Sequence, residues 1–194
     1  MSRVAIFGGS FDPIHIGHAM IANYVSQSGL VDEVWLMPGR INPLKQEGRK
    51  PAKATDRLEM CRMVADKCIN VKVCDIELDM PEPSYTSDTL ARLSRDFPQH
   101  TFSLLIGSDN WLIFDRWHNS DEIIRNNKIL VFARIGEEID MTSLPPNVTL
   151  IENTPTAQIS STFIRSGFSE GKNMTFFLPT DVLNYIQTNH IYKG

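Results

Sequence analysis

Short apolar runs alternate with helix-periodic segments along the whole chain, and no other feature limits the fold so strongly. The runs lie at residues 3–7, 31–38 (VDEVWLMP), 70–78 (NVKVCDIEL), 101–107 (TFSLLIG), 128–134 (KILVFAR) and 147–152 (NVTLIE). Each is of strand length. Between them the spacing predicts a helix from about Ile16 to Ser28, stopped by Gly29, and another over 55–68 with Thr55 as N-cap and Leu58, Cys61, Val64, Ala65 and Cys68 on one face. Further helices are expected over 84–97, capped by Ser or Thr and closed before Pro98, after a Ser120 cap, and from about Thr180 to Asn189. Repeated strand–helix alternation implies an α/β fold whose mainly parallel sheet is covered by helices on both faces. With no repeat or low-complexity tract, residues 1–194 are expected to form a single domain.

The 194 residues, 42% of them apolar, are enough to bury a sizeable core. A net charge of −4 argues against bulk attraction to nucleic acid or anionic lipid, so small-molecule partners are expected. Too few apolar residues precede Gly8 to make a signal-peptide core, and no apolar stretch has spanning length; a cytoplasmic protein is expected. Cys61, Cys68 and Cys74 are odd in number and lack a CxxC spacing, so all three read as reduced packing residues. Residues 39–54, rich in Gly, Pro and Lys/Arg without an apolar period, read as a long mobile loop.

The stretch GGSFDPIHIGH (8–18) follows the first expected strand directly. In an open parallel sheet, ligands bind beyond the carboxyl ends of the strands, where helix N-termini offer free N–H groups. Gly8, Gly9 and Ser10 stand at that place, where glycine lets backbone approach a phosphate. His15 and His18, in H-x-x-H spacing on the first helical turn, can donate to phosphate oxygens. Other readings stay open on spacing alone: a Gly-Gly turn, structural histidines, or a metal site, although neither HExxH nor a nearby Cys completes one. The stretch matches neither GxGxxG nor GxxxxGK[ST].

As a whole, GGSFDPIHIGH resembles the signature of the H-x-G-H nucleotidyltransferase superfamily, and ISSTFIR at 159–165 resembles its second signature. Three further stretches are similar to the bacterial nicotinate-nucleotide adenylyltransferases: PSYTSDTL (83–90), IGSDNWLIFDRWH (106–118) and LPTDVLNYIQTNHIY (178–192). The resemblance spans nearly the full chain and implies a Rossmann-like, doubly wound sheet. It implies attack by the 5′-phosphate of nicotinate mononucleotide on the α-phosphorus of ATP, with release of pyrophosphate. Other acceptors, nicotinamide mononucleotide or phosphopantetheine, belong to the same chemistry, and a nucleotide sensor without turnover is the competing class. One departure stands in the loop after the second strand, where the family reads P-P-H-K/R and this chain has Leu44 before Lys45.

The resemblance also implies residue roles. His15, His18, Lys45 and Arg165 form the catalytic set, without a protein nucleophile, since such transfers rest on positioning and charge neutralisation. ATP is expected to meet Gly8, Gly9, Ser10, Phe11, His15, His18, Gly107, Asp109, Ile159, Ser160, Ser161 and Arg165. His18 faces the α-phosphate, Ser161 and Arg165 the β- and γ-phosphates, and Asp109 the ribose. Nicotinate mononucleotide is expected against Ser10, Lys45, Ser84, Tyr85, Thr86, Trp117 and Arg134, with Trp117 stacked on the pyridine ring. The N–H groups of Tyr85, Thr86 and Ser87, at a helix start, favour the carboxylate of the acid acceptor. Mg²⁺ is expected to arrive with ATP, held by phosphate and water. Several residues keep a structural alternative: Asp12 as cap of the turn before Pro13, Asp109 as N-cap of a short helix, Trp111 as core packing and Arg134 as a solvated loop residue. Met60, Met63, Phe176 and Phe177 read as core.

Overall fold

The computed structural model describes residues 1–39, 51–81, 83–136, 139–140 and 144–192. Its six strands are β1 (Ser2–Gly9), β2 (Glu33–Pro38), β3 (Val71–Val73), β4 (His100–Gly107), β5 (Lys128–Phe132) and β6 (Val148–Ile151). They form one sheet in the order β3-β2-β1-β4-β5-β6, and every pairing is parallel. The helices are α1 (Ile16–Val25), α2 (Ala54–Ala65), α3 (Thr86–Asp96), α4 (Ser108–Trp111), α5 (Ser120–Asn126), α6 (Ser161–Ser169) and α7 (Thr180–Thr188), with 3₁₀ turns at Ile76–Asp79 and Phe114–Arg116. The parallel sheet is the one that the alternation implied, and its order is the doubly wound, Rossmann-like arrangement implied by the resemblance.

Strand side chains alternate between two cores. Ala5, Phe7, Val34, Leu36, Leu105, Leu130 and Phe132 face one cluster, which α1, α2, α6 and α7 complete. Val4, Ile6, Trp35, Met37, Leu104, Ile106, Ile129 and Val131 face the other, closed by α3, α5 and the Phe114 turn. Each fully buried Ile, Leu or Phe contributes about 1.5–3 kcal/mol. Continuous apolar runs, rather than polar–apolar alternation, are what a sheet covered on both faces requires. Strand order reverses between β1 and β4, so a crevice opens at their carboxyl ends, beside Gly8, Gly9 and Gly107.

Element ends depart from the sequence reading. Strand β3 stops at Val73: the Cys74 N–H still bonds to the Leu36 carbonyl at 2.9 Å, and Ile76 then reaches the core from a 3₁₀ turn instead of a continuing strand. Helix α1 stops at Val25, three residues early, and Gly29 takes its left-handed conformation beyond the turn (φ 76°). The N-caps of α2, α3 and α5 are Lys53, Tyr85 and Asn119, not Thr55, a Ser or Thr, and Ser120; none of the three makes a side-chain cap. Phe177 packs on the first core as expected, and Met60 is buried in it. Phe176 is 89% exposed and is not a core residue. All three cysteines are free thiols, and among the described residues no helix is long and apolar enough to cross a membrane. Of the expected 39–54 loop, residues 40–50, Leu44 and Lys45 included, lie outside the described residues.

Candidate functional site

At the carboxyl end of β1 the chain turns through Phe11, whose backbone is left-handed (φ 44°), and enters α1. His15 is the N-cap of α1 and His18 its third residue, so His15 precedes the helical turn rather than lying on it. The two imidazoles stack with centroids 3.7 Å apart and planes at 26°. His18 Nδ1 accepts the His15 backbone N–H at 3.3 Å. A nitrogen that accepts carries no proton, so the proton of the neutral ring sits on Nε2, which is thereby a donor. Phe7 and Phe11 meet the His18 ring edge-on at 6.0 and 5.0 Å. They fix its plane.

His15 is 4% exposed, and its Nδ1 is buried without a hydrogen-bond partner among the described residues. Burial, and then the charge of Arg134, push its pKa down to about 4. It is a neutral imidazole at pH 7. Between pH 6.5 and about 4 the unfolded chain therefore binds a proton that the folded chain refuses, and stability falls as pH falls through that window. Burial pushes the Glu77 carboxyl the other way, up, which strengthens the fold on acidification. The comparison must be made against a His15 variant. Chemical denaturation is expected to show the wild type losing about 2 kcal/mol more than His15→Asn between pH 7 and pH 5; equal losses would contradict the neutral, buried state.

Gly17 completes the pair. A Cβ there would lie 3.1 Å from both Nδ1 and Cε1 of His15, so the glycine gives the ring its place. Gly17→Ala is expected to displace the His15 ring and lower kcat by about tenfold, with a Tm within a few degrees of wild type because alanine favours the helix. Steady-state kinetics with calorimetry checks this, and unchanged kcat would contradict it.

A cavity of about 290 Å³ opens beside the pair, lined among others by His15, Gly17, His18, Arg134, Ile159 and Ser160. Helix α6 presents its N-terminus here. Ser160 caps it, accepting from Phe163 N–H at 3.1 Å, while Ser161 Oγ donates to the Pro13 carbonyl at 2.9 Å and so ties α6 to the loop after β1. Arg165 donates through Nη1 to the Asp12 carbonyl at 2.8 Å. Gly8 and Ser10 are exposed at the end of β1. Phe11, 1% exposed, stands behind His18 and Gly9 instead of lining the cavity.

Across the reversal point, Asp109 lies in the first turn of α4, whose N-cap is Gly107, which overturns the capping alternative for Asp109. Asp109 Oδ1 pairs with Arg134 Nε at 2.9 Å. A Cβ on Gly107 would lie 2.5 Å from that oxygen and 2.7 Å from that nitrogen; glycine makes room for the pair. Arg134 lies two residues past β5, its N–H held by buried Ser108 Oγ at 2.8 Å and its guanidinium 5.7 Å from the Phe132 ring. It is therefore no free loop residue.

A second cluster stands on the opposite face of the sheet. Tyr85, the N-cap of α3, packs on His118 at 4.2 Å, and Trp117 packs on Phe114 at 5.0 Å, with its Nε1 buried and lacking an acceptor among the described residues. Trp111 stacks on Phe114 at 5.4 Å, in keeping with its core reading. Helix α3 begins at Thr86 with Tyr85 as its N-cap, so the N–H groups of Tyr85, Thr86, Ser87 and Asp88 have no partner within the helix.

Two buried charges under this crevice were not foreseen. Arg57, 2% exposed, donates to the carbonyls of Ser10 (2.6 Å), Gly39 (2.5 Å) and Ala52 (3.2 Å), joining the ends of β1 and β2 to the approach of α2. Glu77 accepts from Thr89 Oγ1 at 2.9 Å in α3 and abuts Gly39. Arg57 stands at the start of the expected 55–68 helix and Glu77 inside the apolar run 70–78, and nothing local marks either charge as buried. Among the described residues no three His, Cys, Asp or Glu converge as metal ligands.

The family model described as cytidylyltransferase-like matches residues 6–167. A Bacteroides fragilis protein named "Probable nicotinate-nucleotide adenylyltransferase" is 42% identical over 192 residues, covering 98% of this chain and 94% of its own length. A Flavobacterium johnsoniae protein of the same name is 36% identical over 193 residues, with 98% and 99% covered. Among solved structures, a Plasmodium falciparum nicotinic acid mononucleotide adenylyltransferase complexed with NaAD superposes with a TM-score of 0.82, covering 99% of this chain and 98% of that one. At 20% identity that likeness is one of fold.

Proposed function

We propose, for a chain that belongs to the cytidylyltransferase-like family and within it to the nicotinate-nucleotide adenylyltransferases, a direct adenylyl transfer carried out at the β1–β4 crevice. The enzyme joins ATP and nicotinate mononucleotide to give nicotinate adenine dinucleotide and pyrophosphate, a step of NAD biosynthesis. A 5′-phosphate oxygen of the mononucleotide attacks the α-phosphorus in line. The bond from that phosphorus to the bridging oxygen breaks, and pyrophosphate leaves with the electron pair. The observation that carries this reading is the stacked His15–His18 pair at the N-terminus of α1, beside the cavity that the start of α6 also reaches.

In this reading His18 Nε2–H stabilises charge growing on the α-phosphate, and neutral His15 supports it as a donor that does not compete for protons at pH 7. Arg165, Ser161 and the open N–H groups of α6 hold the β- and γ-phosphates. Asp109 receives the adenosine ribose and Arg134 the acceptor phosphate, which requires their mutual pair to open as substrates enter. Tyr85, Thr86 and Trp117 take the pyridine ring, and Lys45 adds a cation. Mg²⁺ enters with ATP as part of the substrate, held mostly by phosphate and water, as magnesium's hydration favours. The 194 residues act as one nucleotidyltransferase domain, working in the cytoplasm where ATP is at hand.

The test is pyrophosphate release from MgATP with nicotinate mononucleotide, nicotinamide mononucleotide or phosphopantetheine as sole acceptor. Release with the nicotinate acceptor exceeding the other two is expected. Release without any acceptor, or only with phosphopantetheine, would overturn the reading.

A further inference from the structure

Glu77 is buried between the end of the sheet and the start of α3. On one side, a Cβ on Gly39 would lie 2.8 Å from its Oε2, so the carboxyl fills the space that a side chain at that position would need. The Gly39 N–H donates to the Gly9 carbonyl at 2.9 Å, which places this oxygen where β1 and β2 end. On the other side, Glu77 Oε1 accepts from Thr89 Oγ1 at 2.9 Å. Thr89 is buried as well, and its hydroxyl also lies 3.1 Å from the Tyr85 carbonyl oxygen and 3.7 Å from Met80 Sδ. A hydroxyl has one proton to give, and of these three acceptors the carboxyl is the strongest. The Tyr85 carbonyl keeps the Thr89 N–H at 3.0 Å.

Packing alone gives no reason for a carboxyl here. Burial, opposed by the Thr89 hydrogen bond, pushes its pKa up, whereas an apolar side chain of similar size would fill the same space without that penalty. What the carboxyl adds is a hydrogen bond to the fourth residue of α3. That bond holds the first turn of the helix, whose N-cap Tyr85 packs on His118 beside Trp117. Two polar atoms of this cluster, Ser87 Oγ in that turn and Trp117 Nε1, are buried without a partner among the described residues. The cluster thus keeps hydrogen-bonding capacity that a ligand can use.

We propose that Glu77 is a positioning residue for the acceptor nucleotide: through Thr89 it fixes the first turn of α3 against the end of β2, so that the open N–H groups of that turn meet the pyridine carboxylate in register with the crevice. This rests on the reading that places the pyridine ring at the start of α3. Glu77 acts through the helix and not by contact with substrate. Without its hydrogen bond the turn shifts and the acceptor is held less well, while the ATP side, built on α1 and α6, keeps its geometry.

The experiment measures kcat and the KM of each substrate, with thermal unfolding, for wild type, Glu77→Gln, Glu77→Leu, Thr89→Val, the Glu77→Leu/Thr89→Val double variant and Trp117→Ala. Glu77→Leu and Thr89→Val are each expected to raise the KM for nicotinate mononucleotide about five- to tenfold, to lower kcat by less than about threefold and to leave the KM for ATP unchanged. The double variant should match either single one, because both remove the same bond. Glu77→Gln, whose amide oxygen still accepts from Thr89, should keep that KM within about twofold of wild type. Thr89→Val, close in shape to threonine, carries the test should Glu77→Leu fail to fold. A lower Tm with an unchanged KM for nicotinate mononucleotide would show a merely structural carboxyl and overturn the proposal. Equal rises in both KM values, additive effects in the double variant, or a Glu77→Gln variant as impaired as Glu77→Leu would overturn it too. An unchanged KM for nicotinate mononucleotide in Trp117→Ala would overturn the acceptor site at α3 and the proposal with it. A raised KM in Trp117→Ala beside unchanged ones in Glu77→Leu and Thr89→Val would overturn the proposal alone.

Discussion

His18→Ala is expected to lower kcat by on the order of a hundredfold or more while the KM for ATP changes much less. The Nε2–H of His18 is worth most when negative charge has grown on the α-phosphate, and a group used mainly in the transition state registers in kcat. Its ring is held on three sides, by stacking on His15 at 3.7 Å and by Phe7 and Phe11, so the donor needs little reorganisation. Alanine also leaves the His15 N–H without its acceptor at 3.3 Å, which blends a folding effect with the chemical one. His18→Asn separates them. The asparagine oxygen can accept from that N–H while the distal donor is lost, so this variant should share the loss of kcat with a smaller loss of stability. Steady-state kinetics on both variants is the check, and near-normal kcat in either would remove His18 from the chemistry.

The acid acceptor, nicotinate mononucleotide, is expected to be preferred over the amide by about tenfold to several-thousandfold in kcat/KM. Helix α3 starts at Thr86 without a side-chain cap, leaving N–H donors at its positive end. A carboxylate can accept from several at once, whereas a carboxamide turns its own NH₂ toward a donor. Charge-assisted bonds contribute roughly 1.5–3 kcal/mol each, so one or two of them give that range. Asp88, the nearest negative charge on the helix, is exposed and opposes this little. The Trp117 ring supplies affinity common to both acceptors, so Trp117→Ala should weaken both alike and leave the ratio in place. Equal kcat/KM for the two acceptors in the wild type would sink the role given to the α3 terminus.

What the sequence disclosed follows from how local each signal is. The inner strands were legible because burial on both faces makes them unbroken apolar runs, as in Val4–Phe7 and Leu104–Ile106. At the edge, Ile76 mimics a strand residue while packing from a 3₁₀ turn, so the apolar run over 70–78 overstates β3. Helix starts slipped where the cap is tertiary: Tyr85 is placed against His118, not by a side-chain bond to its own helix. In the site, His15 and His18 stood out as a pair, yet the hydrogen bond that sets the His18 tautomer needs coordinates. The burial of Arg57 and Glu77 and the pairing of Asp109 with Arg134 were hidden for one shared reason: their partners lie elsewhere along the chain, and no local pattern marks a charged residue as buried or paired.

Labelled ATP puts the direct-transfer mechanism to its plainest test. With nicotinate mononucleotide and ATP carrying ³²P at the α-position, all consumed label should appear in the dinucleotide; with ³²P at the γ-position it should appear in pyrophosphate, and in neither case on the protein. Label in free AMP, in orthophosphate or retained on the denatured protein would contradict in-line adenylyl transfer at this crevice.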